Sequence, residues 1–145
     1  MVKFSEEFVN AINIDGKPLR IENNPSTKRF HLNPEVCAAF LGAVIETIRF
    51  KHIFNGSAYS NGSCYYSKTH SNGLSFDMRY QHFLPNFKNW MANTVEAKED
   101  NQSLIDAMRK FHLKTIYVGL DNRYSELKKV TQLEKHDNHI HFGLY

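Results

Sequence analysis

The chain has 145 residues, 41% hydrophobic and 23% charged, with a formal net charge of +3. That length suits one domain, 1–145, with a core of its own, and a charge this mild, with no basic block, argues against a nucleic-acid partner. No run approaches the ~18 apolar residues of a membrane span, and the opening MVKFSEEFVNAINIDG lacks the apolar stretch of an export leader.

Residues 5–22 read as a short helix or strand followed by a hairpin, because Asp15-Gly16 stands between apolar flanks. Residues 23–33 are a loop. The strongest helix signal covers 34–50: Asn33 is a good N-cap, Pro34 suits the first helical position, and Glu35 favours the positive end. Its apolar positions run nearly all round, which places it centrally in the core. Two strands, 52–60 and 63–67, are expected around Asn61-Gly62. Residues 74–80 alternate as a strand, with Asp77 turned away from Phe76 and Met78. Residues 84–98 are expected to be helical after Pro85, with Trp90 in the core beneath the strand that carries Asp77. Residues 101–112 form a second helix, with Leu104, Ile105, Met108 and Phe111 at helical spacing. A buried strand over 114–119, a helix over 124–135 and a last strand over 139–145 complete the chain. The pattern is α+β: an antiparallel sheet with helices packed on one side.

Cys37 and Cys64 are too few for a zinc-finger set. Cys37 falls on the apolar side of the 34–50 helix and reads as buried and inert. A Cys37–Cys64 disulfide is the alternative for a protein working outside the cytoplasm.

Polar residues cluster in two short segments, THSNGLSFD (69–77) and HDNHIHF (136–142). His70, Asp77, His139 and His141 are the ligand types of a hydrolytic zinc site, which takes three protein ligands and keeps an open position for water. Manganese, cobalt or nickel would also accept such a set. A turn at Gly73 can bring His70 and Asp77 past one ion. On a strand, His139 and His141 point to one face, and His136 lies just before them. A histidine there titrates near the pKa of a zinc-bound water and can act as general base, while a second, protonated one can stabilise an oxyanion. His31, His52, His82 and His112 fit no pattern and read as structural or surface residues. Asn138 is either a turn residue or a partner that fixes an imidazole tautomer. Arg79 reads as a salt-bridge residue, with a substrate carboxylate as the other option. Tyr65, Tyr66 and Ser67 either line a groove or pack.

The segment His70-Ser71-Asn72-Gly73-Leu74-Ser75-Phe76-Asp77 resembles the HxxGxxxD signature of the LAS zinc peptidases, the group of lysostaphin-type, D-Ala-D-Ala and hedgehog-like domains. His136-Asp137-Asn138-His139-Ile140-His141 resembles the HxxHxH signature of the penicillin-insensitive murein endopeptidase branch. The likeness covers 63–80 and 136–142, extends to the helix–strand pair at 101–119, and is not found before residue 50. It implies a LAS/hedgehog-like fold, zinc held by His70, Asp77 and His141, a catalytic His139, and His136 as a second active-site histidine. Two features depart from the D-Ala-D-Ala branch. Glu134 is not at its ExxH spacing from His141, and Lys68 stands where that branch has serine, with Ser67 one position earlier.

The resemblance implies a peptidase that cuts a peptidoglycan cross-link or stem peptide, of the D-Ala–diaminopimelate type. With no leader in the sequence, it would reach the wall, in the periplasm or outside the cell, by lysis or a dedicated secretion route. A phage lysis enzyme or an antibacterial toxin fits, the toxin with an immunity protein as partner. The rival readings are a D,D- or L,D-carboxypeptidase on the same scaffold and a zinc-binding interaction domain without catalysis.

Overall fold

A computed structural model of the protein describes residues 1–64 and 69–145. The fold is α+β. Its N-terminal part is a run of short pieces: β1 (Val2–Lys3), α1 (Glu6–Asn10), β2 (Asn13–Ile14), β3 (Lys17–Pro18), β4 (Arg20–Asn23) and β5 (His31–Leu32). Asp15 and Gly16 both take positive φ, 52° and 79°, and join β2 to β3 as the expected antiparallel hairpin.

Helix α2 (Pro34–Glu46) begins as its sequence dictates, with the Asn33 side chain accepting from the Glu35 N–H at 2.9 Å. It stops at Glu46 rather than Phe50. Thr47 caps it, donating its hydroxyl to the Ala43 carbonyl at 2.9 Å and lying 3.2 Å from His52 Nε2, so the chain turns at once into β6 (Lys51–Gly56). The strand pair expected over 52–60 and 63–67 does not continue past β6 in the described residues. The Ser57 N–H goes to the Arg29 carbonyl and Ala58 bridges His31, so the N-terminal part recruits this segment. Tyr65, Tyr66, Ser67 and Lys68 lie outside the described residues.

A 3-10 turn (Ser71–Gly73) leads into β7 (Ser75–Met78). Where a helix was expected over 84–98, β8 (Phe83–Leu84) and β9 (Trp90–Met91) form an antiparallel hairpin. Lys88 and Asn89 take φ of 55° and 60°, which a right-handed helix does not admit. Trp90 is half-buried on β9 and not in the core: the Arg123 guanidinium sits 4.8 Å from its ring centre. Helix α3 (Val95–Lys110) starts at Thr94, whose hydroxyl accepts from the Ala97 N–H, and absorbs most of the helix expected over 101–112.

After β10 (Thr115–Val118) and a 3-10 turn (Asn122–Tyr124), the helix expected over 124–135 is replaced by turns and by β11 (Thr131–Gln132). Side chains of α3 take this segment's backbone groups. Arg109 donates to the Lys129 carbonyl at 2.9 and 2.6 Å, and the Gln102 carboxamide oxygen accepts from the Lys128 N–H at 2.7 Å. The last strand is β12 (Ile140–Gly143).

Six strands form the main sheet in the order β11-β10-β12-β7-β6-β4. The expected antiparallel pairing holds in the centre, but the two edge pairs, β4–β6 and β10–β11, are parallel, so the sheet is mixed. Strand alternation sorts its faces. Phe76, Met78, Ile116, Val118, Ile140 and Phe142 share one core with Phe40 and Val44 of α2 and Leu104 and Met108 of α3. Phe76 anchors it, 5.0 Å from Phe40 and 5.6 Å from Phe142 between ring centres. Asp77, Tyr117 and His141 alternate onto the opposite face. No helix among the described residues is long and apolar enough to cross a membrane. Cys37 and Cys64 are both buried and do not form the alternative disulfide with each other.

Candidate metal centre

The register of the central strands builds the site. β12 pairs with β7 so that His141 stands directly opposite Asp77, and with β10 so that Tyr117 flanks His141 on the other side. Directly opposed residues share a face, so all three project together. His70 arrives from the turn before β7. That turn depends on Gly73, at φ 68°: a Cβ there would lie 2.5 Å from the Asn33 nitrogen and 2.7 Å from the Leu32 carbonyl carbon. Only glycine lets the turn press against the start of α2, where the Asn33 N–H donates to the Gly73 carbonyl at 3.0 Å. The chain thereby doubles back and lays His70 over Asp77.

Three atoms converge. His70 Nε2 lies 3.1 Å from Asp77 Oδ1 and 3.1 Å from His141 Nδ1, and His141 Nδ1 lies 3.0 Å from Asp77 Oδ1. His70 and His141 are only 2% and 3% exposed. An imidazole nitrogen carries at most one hydrogen, so no placement of protons satisfies all three edges of this triangle. A cation satisfies them at once. Nitrogen and oxygen ligands ~2.0–2.1 Å from a tetrahedral zinc stand about 3.3 Å apart, close to the spacing of this triangle. The residues fit a divalent ion. Burial pushes the Asp77 carboxyl up, but His139, His141 and His70 together outweigh it and hold the group below the usual carboxylate range.

The two further histidines lie beside the triangle. His139 immediately precedes β12, with Nε2 3.7 Å from Asp77 Oδ1. Its Nδ1–H donates to the Asn138 side-chain oxygen at 2.6 Å, which leaves a lone pair on Nε2. Asn138 is therefore a tautomer-fixing partner. Burial, against the pull of the Asp77 carboxylate, lowers the His139 imidazolium to about 4. His136 donates Nδ1–H to the Glu134 carbonyl at 2.8 Å, and its ring centre is 4.8 Å from that of His139. All five residues named from sequence come together here. His31, His52 and His112 lie outside the cluster, and His82 joins an exposed group with Glu96 and Asp100. In that group Asp100 is already paired with His82 at 2.7 Å and Arg49 at 3.3 Å.

Other residues that shape the site carry no motif. Three consecutive carbonyls of the 136–138 loop each accept one side-chain donor: the Tyr80 hydroxyl at His136, the Tyr124 hydroxyl at Asp137, and the Arg79 guanidinium at Asn138. Tyr80 and Tyr124 are fully buried and stacked 4.9 Å apart. Tyr117 stacks on His141 at 5.3 Å. Apart from Arg79, these roles depend on contacts between distant segments, so only their aromatic or polar character is visible in the sequence. No protein-family model matches this chain, and no curated protein matches it.

Proposed function

We propose that this protein is a zinc-dependent peptidase of the LAS type that cuts a D-Ala–diaminopimelate cross-link or stem peptide of peptidoglycan. The observation that carries the reading is the triangle of His70, Asp77 and His141, with 3.0–3.1 Å edges, bordered on one side by two further imidazoles. His70 Nε2, Asp77 Oδ1 and His141 Nδ1 would hold the ion. When bound, zinc supplies Lewis-acid polarisation and a water acidic enough to ionise near neutral pH.

The chain's own residues move the protons. His139 Nε2, neutral and 3.7 Å from Asp77 Oδ1, takes a proton from the attacking water and returns it to the leaving amine. Asn138 keeps the His139 proton on Nδ1, so that Nε2 faces the reaction. His136, half-exposed beside His139, donates from Nε2 to the developing oxyanion when protonated. The amide is hydrolysed without a covalent enzyme intermediate. A role as a toxin or a lysis enzyme, with its target in the wall, follows from this substrate.

The test is digestion of purified diaminopimelate-type peptidoglycan, with mass analysis of the fragments, for wild type, chelator-treated protein and His139→Ala. Conversion of cross-linked dimers to monomers, lost in both controls, is the expected result. Release of a terminal D-Ala alone would move the assignment to a carboxypeptidase. No fragmentation by protein that holds one zinc per chain would overturn it.

A further inference from the structure

An open cleft of about 610 Å³ is lined in part by Arg49, Lys51, Phe50, Phe83 and Arg79, the last of which binds the Asn138 carbonyl next to His139. Two of its three cations already have carboxylate partners: Lys51 meets Glu22 at 2.6 Å and Arg49 meets Asp100 at 3.3 Å. Arg79 forms no ion pair among the described residues. Its one side-chain hydrogen bond there runs from Nη1 to the Asn138 carbonyl at 3.0 Å, although a guanidinium carries five N–H donors. Arg79 is half-buried. A charge partly withdrawn from water without a counter-ion is a cost that a bound anion would offset.

Position defines the anion. Arg79 follows Asp77 by two residues on the same face of the sheet, about 7 Å along the strand, or about two residues of extended peptide. The Phe50 ring is buried and Phe83 half-buried, so the cleft offers apolar wall next to the guanidinium.

We propose that Arg79 and this cleft form a subsite for a carboxylate of the bound peptide, one to two residues from the bond that is cut. The guanidinium engages it through the N–H groups that Asn138 leaves free. The carboxylate is either the peptide's own terminus or an acidic side chain. The assignment to a peptide rests on the peptidase reading, whereas carboxylate recognition at Arg79 can be tested without it.

The experiment uses isotope-labelled, metal-free protein, so that no ion competes for the probe. N-acetyl-D-alanine, N-acetyl-D-alaninamide and N-acetylglutamic acid α-amide are titrated, and the Arg79 Nε–H and the backbone amides of 79–82 are read by NMR. The expected result is a saturable shift with one or both acids and none with N-acetyl-D-alaninamide. Which acid responds identifies the terminal or the side-chain source. Arg79→Gln, and Arg79→Lys, which keeps the charge but loses the fork, should weaken the binding read at the backbone amides at least about tenfold, as loss of a charge-assisted hydrogen bond implies. Equal responses to acid and amide, or binding unaffected by both substitutions, would overturn the subsite. If wild type shows no turnover but the acid-specific shift persists, the subsite stands and the peptidase reading fails. Where turnover is present, both variants should raise KM for the acid substrate with kcat nearly unchanged. A uniform fall in kcat for acid and amidated substrates would instead make Arg79 a positioning residue acting through Asn138, and would also overturn the subsite.

Discussion

The two faces of the central sheet are made from the same strands, residue by residue in alternation. On one, Phe76, Met78, Ile140 and Phe142 pack under α2 and α3. On the other, Asp77 and His141 stand side by side with His70 laid over them. Burial does not separate them, because His70 and His141 are nearly as enclosed as Phe76. The difference is what satisfies the buried groups. Phe76 is satisfied by shape and dispersion, whereas no placement of protons makes all three edges of the triangle hydrogen bonds. One face stabilises the fold unaided, and the other gathers side chains that could hold a metal ion.

Neighbouring residues can break this contrast. Phe76→Ala should cost about 3–5 kcal/mol in denaturant unfolding, the usual range for a large core aromatic. A cost below about 1 kcal/mol would mean that the helix-covered face is not the main source of stability.

His52 tests whether the helix side tolerates charge. It is fully buried against Thr47, and burial lowers its pKa to about 4. The unfolded chain takes up this proton near pH 6.5 and the folded chain only near 4. Stability should therefore be flat above neutrality and fall as pH drops from about 6.5 to about 4, by up to about 3 kcal/mol. Urea midpoints against pH, for wild type and His52→Gln, isolate the contribution; identical slopes would show that His52 takes up its proton equally in both states.

Asp77→Asn should leave the far-ultraviolet circular dichroism of the fold in place and weaken zinc at least about a hundredfold, more than the usual loss of an outer-shell partner. Competition with a chromophoric chelator measures it. Unchanged affinity would place the ion elsewhere, with the His82, Glu96 and Asp100 group as the next candidate. The smallest effect expected is that of Tyr80→Phe. The lost hydroxyl leaves the Gly119 N–H without its partner and the His136 carbonyl with only the 3.5 Å bond from the His139 N–H, at about 1–2 kcal/mol of stability. A loss of kcat with zinc affinity retained would assign that hydroxyl to the proton-transfer loop.

The candidate site was legible because its residue types are costly to bury unless something pairs them, and because strand alternation puts His139 and His141 on one face from spacing alone, whereas the β7–β12 register sets Asp77 opposite His141. The α2 start and the Asp15-Gly16 hairpin were legible for local reasons: a cap, a proline and a turn pair. Helical spacing misled where tertiary contacts prevail. Over 124–135, Leu127 and Val130 do face the core, but Gln102 and Arg109 take the backbone groups that a helix would have used itself. Over 84–98, two left-handed residues, Lys88 and Asn89, convert a helical pattern into a hairpin. Arg79 read as a salt-bridge residue because no sequence rule reveals that it forms no ion pair among the described residues and that the cleft's Asp100 is taken by Arg49 and His82.

The strand carrying His141 is paired along both edges, whereas the loop carrying His136 and His139 is gripped by side chains at its carbonyls and contributes little to any ladder. Hydrogen exchange should divide the site accordingly. Amides of β12 should exchange only through global opening, and those of 136–138 through local opening. The triangle and the loop of His136 and His139 would then keep separate clocks, and on the proposed peptidase reading the loop would open to admit a peptide while the three ligands stay fixed.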